Sequence, residues 1–276
     1  MPELPEVELT RKQLQQFATG SIIERIYITE QRIIETPAMQ QRLSDILNRQ
    51  ITHCDRRGKL LLIHLDNTDT LAIHRRMAGN LTLLARDAPN EPYICAVFFL
   101  RAPNGSEQKL LFTDPRKFGR IGVYHSSELA QKLAKLGPEP LQDDFTDEAL
   151  KHALSSANRP IKTILLDQSK IAGIGNIYAD ESLFAAGIHP KRNSHTLTDT
   201  EIHTLRLAIV TTLVSALEHA GTTFGRHRDL FGAAGKNVDY LHVYQREGAP
   251  CKICGSAIQS IRVAQRGTRF CPTCQK

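Results

Sequence analysis

Four cysteines near the end of the sequence constrain the fold more than any other feature. They form two pairs, Cys251 with Cys254 and Cys271 with Cys274, in the pattern C-x2-C-x16-C-x2-C. Each C-x2-C turn can place two thiolates on one side of a metal ion, and two such turns complete a tetrahedron. The spacing predicts one structural Zn²⁺ in a closed site, because all four ligands are protein thiolates.

Two disulfides are the alternative use of these four cysteines. The metal is favoured because nothing in the sequence indicates secretion, and disulfides persist mainly in oxidising compartments. The two other cysteines, Cys54 and Cys95, each stand alone among apolar residues. They are predicted to be small buried hydrophobic residues and not metal ligands.

Positive charge is concentrated in the same part of the chain. Residues 221–276 hold nine Lys or Arg against three acids, so this end carries the whole net charge of +6. Such an excess favours nucleic acid as a partner, although a solvated basic tail has the same composition. Between the cysteine pairs, Ile261 to Phe270 predicts a β-hairpin with Arg266 and Gly267 at its turn, and its three arginines can hold phosphates. An ordinary exposed turn is the alternative.

The remaining sequence divides into a β-rich part and a helical part. A helix ending at Gly20 is followed by short apolar runs between turn signals, which predict a sandwich or barrel. The predicted strands are Leu60–Leu65, Leu71–His74, Leu81–Leu84, Ile94–Leu100 and Leu110–Thr113. Beyond a predicted linker at 136–141, the predicted helices are 146–157, 161–168, 177–186 and 199–220, the last with a capping box at Thr198–Glu201 and closed by Gly221. The sequence thus predicts an α+β protein.

The first residues, MPELPEVE, raise a question of chemistry. A small second residue usually permits removal of Met1, which leaves Pro2 with a secondary amine. An α-amino group has a pKa of about 8, so part of it is unprotonated at neutral pH and can attack a carbonyl carbon. Condensation with an aldehyde gives an iminium, which is an electron sink, and Glu3 is placed to move protons. Ordinary helix capping is the alternative, and the local pattern alone favours it.

Five motifs in order resemble the formamidopyrimidine-DNA glycosylases, the Fpg or MutM branch of the Fpg/Nei family. They are MPELPEVE at 1–8, GKLLLIHL at 58–65, DPRKFG at 114–119, GIGNIYADE at 173–181 and RGTRFCPTCQ at 266–275. The resemblance covers the chain from end to end. It implies an N-terminal β-sandwich with a leading helix (1–135), a helix-two-turn-helix domain (141–235) and a zinc-ribbon hairpin (240–276), with damaged double-stranded DNA between the halves.

The resemblance also implies an activity. Enzymes of this family remove oxidised purines, such as 8-oxoguanine and formamidopyrimidines, and then cut the strand by β,δ-elimination. Pro2 matches the nucleophile that attacks C1′ and forms the Schiff base, and Glu3 the acid/base. Lys59 matches the proton donor of β-elimination, although three cations before a strand usually mark a solvated edge. Arg266 matches the arginine of δ-elimination, and its high pKa favours phosphate binding as its physical role.

Further positions match DNA-binding residues of the family. Met77, Arg116 and Phe118 match the side chains that fill the gap left by the extruded base and bond the orphaned partner. His74 belongs to the same motif as Met77; core and turn roles are the alternatives for Met77 and Phe118. In the helical part, Asn176 matches a phosphate clamp, Lys162 a second phosphate contact and Arg159 a third, with an interhelical turn as the alternative for the glycines before Asn176.

The match departs from the family pattern at three places. The motif around the wedge is HRRMAG at 74–79, where Arg75 replaces an apolar residue and Ala78 a hydroxyl. An expected DNA-contacting histidine before the strand at Ile94 is replaced by Glu91-Pro-Tyr93. The loop at 222–237 lacks a clean Arg-Asp-aromatic run. The resemblance implies that the loop at 222–237 covers the flipped base, so its departure bears on which lesions the protein prefers.

Two alternative functions remain open. A Nei-type glycosylase would prefer oxidised pyrimidines, but Leu4 and the DPRKFG motif favour the Fpg branch. A non-catalytic DNA-binding zinc protein would not need Pro2, Glu3 and Lys59. No apolar run is long enough to span a membrane and no secretory signal precedes the first helix, so we expect a cytoplasmic protein. Nothing in the sequence suggests an additional interface, so we also expect a monomer.

Overall fold

The computed structural model describes residues 2–155, 158–225 and 227–276. These residues divide into two compact units. The first comprises the chain up to Ala134 together with Ala220–Lys236, and the second comprises Lys135–His219 together with Asn237–Lys276. The units therefore interleave along the chain, whereas the predicted division at 1–135, 141–235 and 240–276 follows chain order and stays a prediction.

Two four-stranded antiparallel sheets form the first unit. Its strands are β1 (Ile22–Ile28), β2 (Ile51–Arg57), β3 (Leu60–Leu65), β4 (Thr70–His74), β5 (Asn80–Ala85), β6 (Ile94–Arg101), β7 (Glu107–Thr113) and β8 (Arg120–Tyr124). One sheet has the order β1-β6-β7-β5 and the other β2-β3-β4-β8. The helices are α1 (Leu4–Phe17), α2 (Pro37–Arg42) and α3 (Ser126–Leu133). The predicted sandwich with a leading helix is confirmed.

Side chains from α1 and from both sheets form one buried core in this unit. Cys54 and Cys95 belong to it, with exposed fractions of 3% and 1%, which confirms their prediction as buried small residues. Leu230 also belongs to this core, and its carbonyl accepts a hydrogen bond from the Leu83 N–H at 2.9 Å. This packing explains why Ala220–Lys236 joins the first unit although it follows the helical region in sequence.

The second unit contains the predicted helices and the predicted hairpin. Its elements are α4 (Asp147–Ser155), α5 (Ile161–Leu166), α6 (Asn176–Ala185), α7 (Asp199–Glu218), β9 (Gln259–Val263) and β10 (Arg266–Phe270). The predicted capping box opens α7, since Thr198 and Glu201 exchange hydrogen bonds. The predicted end of α4 at Ala157 lies outside the described residues. Along the described chain, no helix combines the length and hydropathy that a membrane span requires.

The prediction of the hairpin turn was wrong. The hairpin turn consists of Ala264 and Gln265, whose φ values of 49° and 59° are those of a two-residue type I′ turn, so Arg266 and Gly267 lie in β10. The predicted linker at 136–141 directly follows the boundary at Ala134 and belongs to the second unit, where the Gly137 N–H donates to the Gln168 carbonyl at 3.0 Å. A Cβ on Gly137 would lie 2.4 Å from the Lys170 backbone, so this segment is fixed.

Candidate active site and metal centre

The start of α1 holds the predicted reactive residues in the first unit. Pro2 and Glu3 are both buried, and Glu3 is the N-cap of α1. The Glu3 backbone N–H donates to Glu6 Oε2 at 2.8 Å, as in a capping box. Capping is therefore compatible with the reactive role predicted for Pro2 and Glu3, because the helix fixes the direction in which Pro2 leaves its first turn.

Glu6 joins this helix start to the distant segment that follows α7. Its exposed fraction is 2%, and its other oxygen, Oε1, accepts a hydrogen bond from the Thr222 N–H at 2.8 Å. A Cβ on Gly221 would lie 3.1 Å from the same oxygen, and Gly221 has a φ of 78°, which glycine adopts readily. One carboxylate thus fixes both the residues before α1 and the loop at 221–222.

Arg75 is buried beneath the same helix turn. Its exposed fraction is 2%, its Nη2 donates to the Glu6 carbonyl oxygen at 2.7 Å, and burial lowers its pKa to about 10. Among the described residues, its Nε and Nη1 have no hydrogen-bond partner. Burial also lowers the pKa of His227 to about 2, and the Arg75 charge contributes to that shift. Sequence reasoning noted Arg75 only as a departure from an apolar residue.

Lys59 lies in the turn between β2 and β3, where Gly58 has a φ of 56°. Its exposed fraction is 9%, so it is not part of a solvated edge. Arg56 is equally buried, and its guanidinium contacts Glu8 Oε2 at 3.0 Å and the Gly58 carbonyl at 2.9 Å. The turn is therefore fixed from beneath by an internal ion pair, which constrains where Lys59 can point.

His74 ends β4 as a neutral imidazole. Burial lowers its pKa to about 3, and Arg76 and Lys59 add to the shift. The Arg76 backbone N–H donates to Nδ1 at 3.0 Å, so Nδ1 is an acceptor and the proton resides on Nε2. His74 can therefore act as a fixed hydrogen-bond donor without carrying charge.

The predicted wedge residues are exposed. Met77 and Phe118 have exposed fractions of 42% and 47%, which excludes a core role for either side chain. The Arg116 guanidinium lies 4.9 Å from the centroid of the Phe118 ring. Asp114, fully buried, accepts hydrogen bonds from the N–H groups of Arg116, Phe118 and Gly119 at 2.8–2.9 Å. The carboxylate of the DPRKFG motif shapes the loop that presents the wedge.

A cavity of about 330 Å³ opens beside this loop in the first unit. It offers a carboxylate from Glu91, a guanidinium from Arg228 and an aromatic ring from Tyr93. Arg228 Nη1 donates to the carbonyls of Gly225 and His227, both at 2.7 Å, which fixes the guanidinium plane. The rest of the lining comprises Ala78, Asn80, Thr82, Pro92, Thr113, Pro115 and Gly232. A nucleobase-sized ligand with both donors and acceptors matches these groups.

The four C-terminal cysteines meet the requirements of a zinc site. Their Sγ atoms all lie within 4.8 Å of one another, with 3.9 Å between Cys251 and Cys274 and 3.4 Å between Cys254 and Cys271. Zn–S bonds of about 2.3 Å in a tetrahedron require S···S distances of about 3.8 Å. The backbone N–H groups of Ile253 and Cys274 point at ligand sulfurs at 3.4 Å. The site is a closed four-thiolate centre, as predicted for a structural zinc.

Of the residues predicted for the second unit, Asn176 and Lys162 contact the hairpin that carries Arg266. Arg266 is exposed in β10 and Arg159 is exposed before α5. Asn176 is the first residue of α6, behind Gly175 as N-cap, and its Nδ2 donates to the Gly267 carbonyl at 3.0 Å. Lys162 is completely buried, and its ammonium faces Asp180 and Thr268. The structure thus brings Asn176 and Lys162 together beneath the strand that carries Arg266.

Comparison with known proteins identifies the chain. Models of the formamidopyrimidine-DNA glycosylase N-terminal domain, its H2TH domain and the zinc finger found in Fpg and IleRS match residues 1–121, 136–227 and 248–276. This chain belongs to the formamidopyrimidine-DNA glycosylase family. A formamidopyrimidine-DNA glycosylase of Herpetosiphon aurantiacus is 45% identical over the whole of both chains, and one of Roseiflexus is 42% identical.

Solved structures of the family give the same result. The structure of a Lactococcus lactis Fpg variant in complex with DNA containing Fapy-dG matches this chain over the full length of both proteins, with a TM-score of 0.92 and 34% sequence identity. A complex of the Lactococcus lactis enzyme with abasic-site DNA reaches 0.91, with 34% identity and 99% coverage of each chain. The predicted family, fold class and zinc are confirmed, and the chain is a DNA glycosylase of base excision repair.

Three contacts that shape the site were not predicted. The Glu6 contact to Thr222 joins residues 216 apart, and no local pattern signals such a pairing. Asp114 is the first residue of the DPRKFG motif, and an acid before a tight turn is the sequence signal for its contacts to backbone N–H groups. Asp180 likewise stands inside GIGNIYADE, where an acid in a mostly apolar helix is a signal of a buried partner.

Proposed function

We propose that this glycosylase excises oxidised purines from double-stranded DNA with the Pro2 amine and then cuts the strand by β,δ-elimination. The observation that carries the proposal is the buried helix start, where Glu3 and Glu6 fix the residues around Pro2. The proposal requires removal of Met1, which lies outside the described residues. A loose, solvated N-terminus would not aim an amine at one carbon atom.

The chemistry follows from a secondary amine beside carboxylates. The amine attacks C1′ and loses its proton, and the damaged base leaves with a proton from an acid in the site. The C1′–O4′ bond then breaks with protonation of O4′, and the resulting open-chain iminium draws electrons from the C2′–H bond. Loss of the C2′ proton expels the 3′-phosphate, and a second elimination expels the 5′-phosphate. Glu3 is proposed as the acid/base, Lys59 as the proton donor for β-elimination, and Arg266 as the group that stabilises the phosphate leaving in the second step.

Contact with DNA is assigned to exposed or half-buried groups. Met77 and Phe118 are proposed to enter the gap left by the extruded nucleotide, and Arg116 to bond the unpaired partner base. His74, with its proton on Nε2, is proposed as an uncharged donor to the backbone. Arg159 and Asn176 are proposed phosphate contacts from the second unit.

Lesion preference is proposed to depend on the cavity that holds Glu91 and Arg228. A carboxylate accepts from N1–H and N2–H₂ of a guanine-type base, and a guanidinium donates to O6, so both 8-oxoguanine and its ring-opened form can bind. Glu91→Gln is expected to lower excision of guanine-type lesions by about tenfold while cleavage of an abasic site, which has no base, is unchanged. A relative has been crystallised with DNA containing an oxidised pyrimidine, so a panel should include one.

Borohydride trapping tests the main proposal. Wild-type protein whose mature N-terminus has been established by mass spectrometry is incubated with a duplex that contains 8-oxoguanine opposite cytosine. The expected result is a covalent protein–DNA adduct, and no adduct from protein with one extra residue before Pro2. Intact DNA binding without any adduct from correctly processed protein would instead favour a non-catalytic DNA-binding zinc protein. A stronger adduct with oxidised pyrimidine than with 8-oxoguanine would favour the Nei-type alternative.

The cellular setting is also proposed. Zinc bound by four thiolates needs reduced cysteines, which favours the cytoplasm. The proposed substrate of the protein, genomic DNA, favours the same compartment. The protein is proposed to act as a monomer, because the two units together contain the reactive N-terminus, the wedge and the hairpin. Analytical ultracentrifugation of zinc-loaded protein tests this, and a concentration-dependent dimer with doubled activity would contradict it.

A further inference from the structure

An enclosed ion pair lies beneath the zinc hairpin in the second unit. Lys162 Nζ and Asp180 Oδ1 are 2.6 Å apart, and both side chains have an exposed fraction of 0%. Lys162 belongs to α5 and Asp180 to α6. Because the ammonium is covered on all sides, it presents no surface to a phosphate. This conflicts with the role that the family resemblance implies for Lys162.

The ammonium directs its remaining donors to β10. Lys162 Nζ donates to Thr268 Oγ1 at 2.8 Å and to the Gly267 carbonyl at 3.3 Å. The second oxygen of Asp180, Oδ2, accepts a hydrogen bond from the Arg269 N–H at 3.0 Å. The two charged side chains therefore hold three consecutive residues of one strand.

The strand is held from a third direction as well. Asn176 Nδ2 donates to the same Gly267 carbonyl at 3.0 Å, and β9 pairs with β10 along its other edge. A Cβ on Gly267 would lie 2.9 Å from Nη1 of Arg269, so the glycine leaves space for that guanidinium. Arg266 directly precedes this clamped stretch and is exposed. Its backbone direction is thus set by the residues that follow it.

We propose that Lys162 and Asp180 are positioning residues that aim Arg266, and that Lys162 makes no contact with DNA phosphate. The proposal rests on the proposed role of Arg266 in the second elimination. A buried ion pair contributes little net stability compared with well-packed apolar residues, but its directional hydrogen bonds fix one arrangement of the chain. The zinc fixes the far end of the hairpin, and the ion pair fixes the end near Arg266.

The proposal separates two steps of the reaction. Attack by Pro2 and the first elimination do not involve Arg266, so they are insensitive to the ion pair. The second elimination loses its oriented guanidinium when the strand is released. Lys162→Met, which keeps the unbranched side chain up to the ε position and removes the charged Nζ, is expected to raise the ratio of β- to δ-elimination product at least fivefold. The rate of borohydride trapping should change less than twofold.

Salt dependence distinguishes positioning from phosphate contact. A lysine that contacts a phosphate contributes about one unit to the slope of log affinity against log salt concentration. Lys162→Met should leave that slope unchanged, whereas Arg159→Ala, which removes an exposed cation proposed to touch phosphate, should reduce it by about one. Both variants are measured as full-length, zinc-loaded protein on the same abasic-site duplex.

A paired variant covers the case in which one buried charge left alone prevents folding. Lys162→Met combined with Asp180→Leu leaves no unpaired charge, and it should fold, retain zinc and show the same raised product ratio. The proposal is overturned if Lys162→Met lowers the salt slope by about one, or if the single and paired variants keep the wild-type product ratio. Absence of trapping in wild-type protein would count against the proposed function instead, because it precedes any role of Arg266.

Discussion

Glu6 and Asp180 are two buried carboxylates, and each fixes a segment that carries a proposed reactive residue. Glu6 accepts hydrogen bonds from two backbone N–H groups, at Glu3 and Thr222. Asp180 accepts one backbone N–H, at Arg269, and faces the full positive charge of Lys162. The first unit thus balances a buried carboxylate with peptide dipoles, and the second balances one with a cation.

This difference determines which substitutions disrupt the contacts in each region. A backbone N–H is removed only by substitution with proline, so the contact at Glu6 depends mainly on the carboxylate itself and on the position of the loop at Thr222. The contact at Asp180 is lost when either partner is replaced, since an unpaired buried charge is then left behind. The N-terminal region is therefore most sensitive to replacement of Glu6, whereas the hairpin region is sensitive to replacement of either Lys162 or Asp180.

Loss of zinc is expected to have the largest effect, confined to the second region. Cys271→Ser removes a thiolate, and folding of small zinc sites depends on roughly 10 kcal/mol of metal binding. DNA affinity should fall at least tenfold, measured by fluorescence anisotropy with zinc content checked in parallel. Cys54→Ala is the matched control, because this buried cysteine belongs to the first unit and should leave zinc bound. Unchanged affinity after verified zinc loss would contradict the prediction.

Replacement of Glu6 tests the first region. Glu6→Gln keeps the shape of the side chain but turns one acceptor into a donor, so one buried N–H loses its partner at a cost of about 1–3 kcal/mol. The rate of borohydride trapping should fall about tenfold or more. Glu201→Gln, in the α7 capping box of the other unit, is the control and should trap at the wild-type rate. Equal rates in all three proteins would mean that Glu6 does not orient the reactive end.

Acidification should weaken the first region selectively. Burial lowers the pKa of His74 to about 3 and of His227 to about 2, whereas both take up a proton near 6.5 when unfolded. The unfolded chain therefore binds more protons below pH 6.5, and stability present above that pH is lost as the pH falls. At pH 5 each histidine accounts for about 2 kcal/mol, measurable by urea unfolding.

The variant His74→Gln isolates one of these two histidines. It should lose less stability than the wild type between pH 7 and pH 5, by about 2 kcal/mol. An identical loss in both proteins would show that His74 is not buried as a neutral ring.

The smallest effect is expected at the start of α7. Thr198→Ala removes the N-cap hydroxyl that accepts from the Glu201 N–H, and such losses cost about 1 kcal/mol. Trapping should be unchanged, because α7 belongs to the second unit. Thr204→Ala, within the same helix, is the control and should be close to neutral. A larger loss from Thr204→Ala than from Thr198→Ala would argue against the cap as the source of stability.

Local patterns predicted much of this molecule. The zinc ligands follow from a spacing of cysteines, the strand β3 from an unbroken apolar run, and the start of α7 from a capping box. The strands β1, β2 and β8 were not predicted. β2 reads ITHCDRR, and its polar residues become compatible with a sheet only once its neighbours Gln15, Glu8 and the β3 backbone are in place.

The errors at the hairpin and around the site have one physical origin. Ala264 and Gln265 adopt left-handed φ values, but neither is the Gly or Asn that normally signals such a turn. The sequence therefore predicts the turn at the neighbouring arginine-glycine pair. The pairing of β10 with β9 and the contacts below it outweigh this local preference. Burial of Arg75 and Lys162 likewise depends on residues distant in sequence, and charge alone predicts exposure.

The contact between Glu6 and Thr222 also orders events during protein synthesis. The two residues are 216 positions apart, so at elongation rates of about 5–20 residues per second roughly 10–40 s pass before the second one exists. Until Ala220–Lys236 has left the ribosome, the sandwich lacks Leu230 in its core and the helix start lacks one of its two donors. The proposed nucleophile is made first, but the segment that holds the start of α1 is made more than 200 residues later, so a nascent chain that stops before Thr222 carries the amine without the contact proposed to orient it.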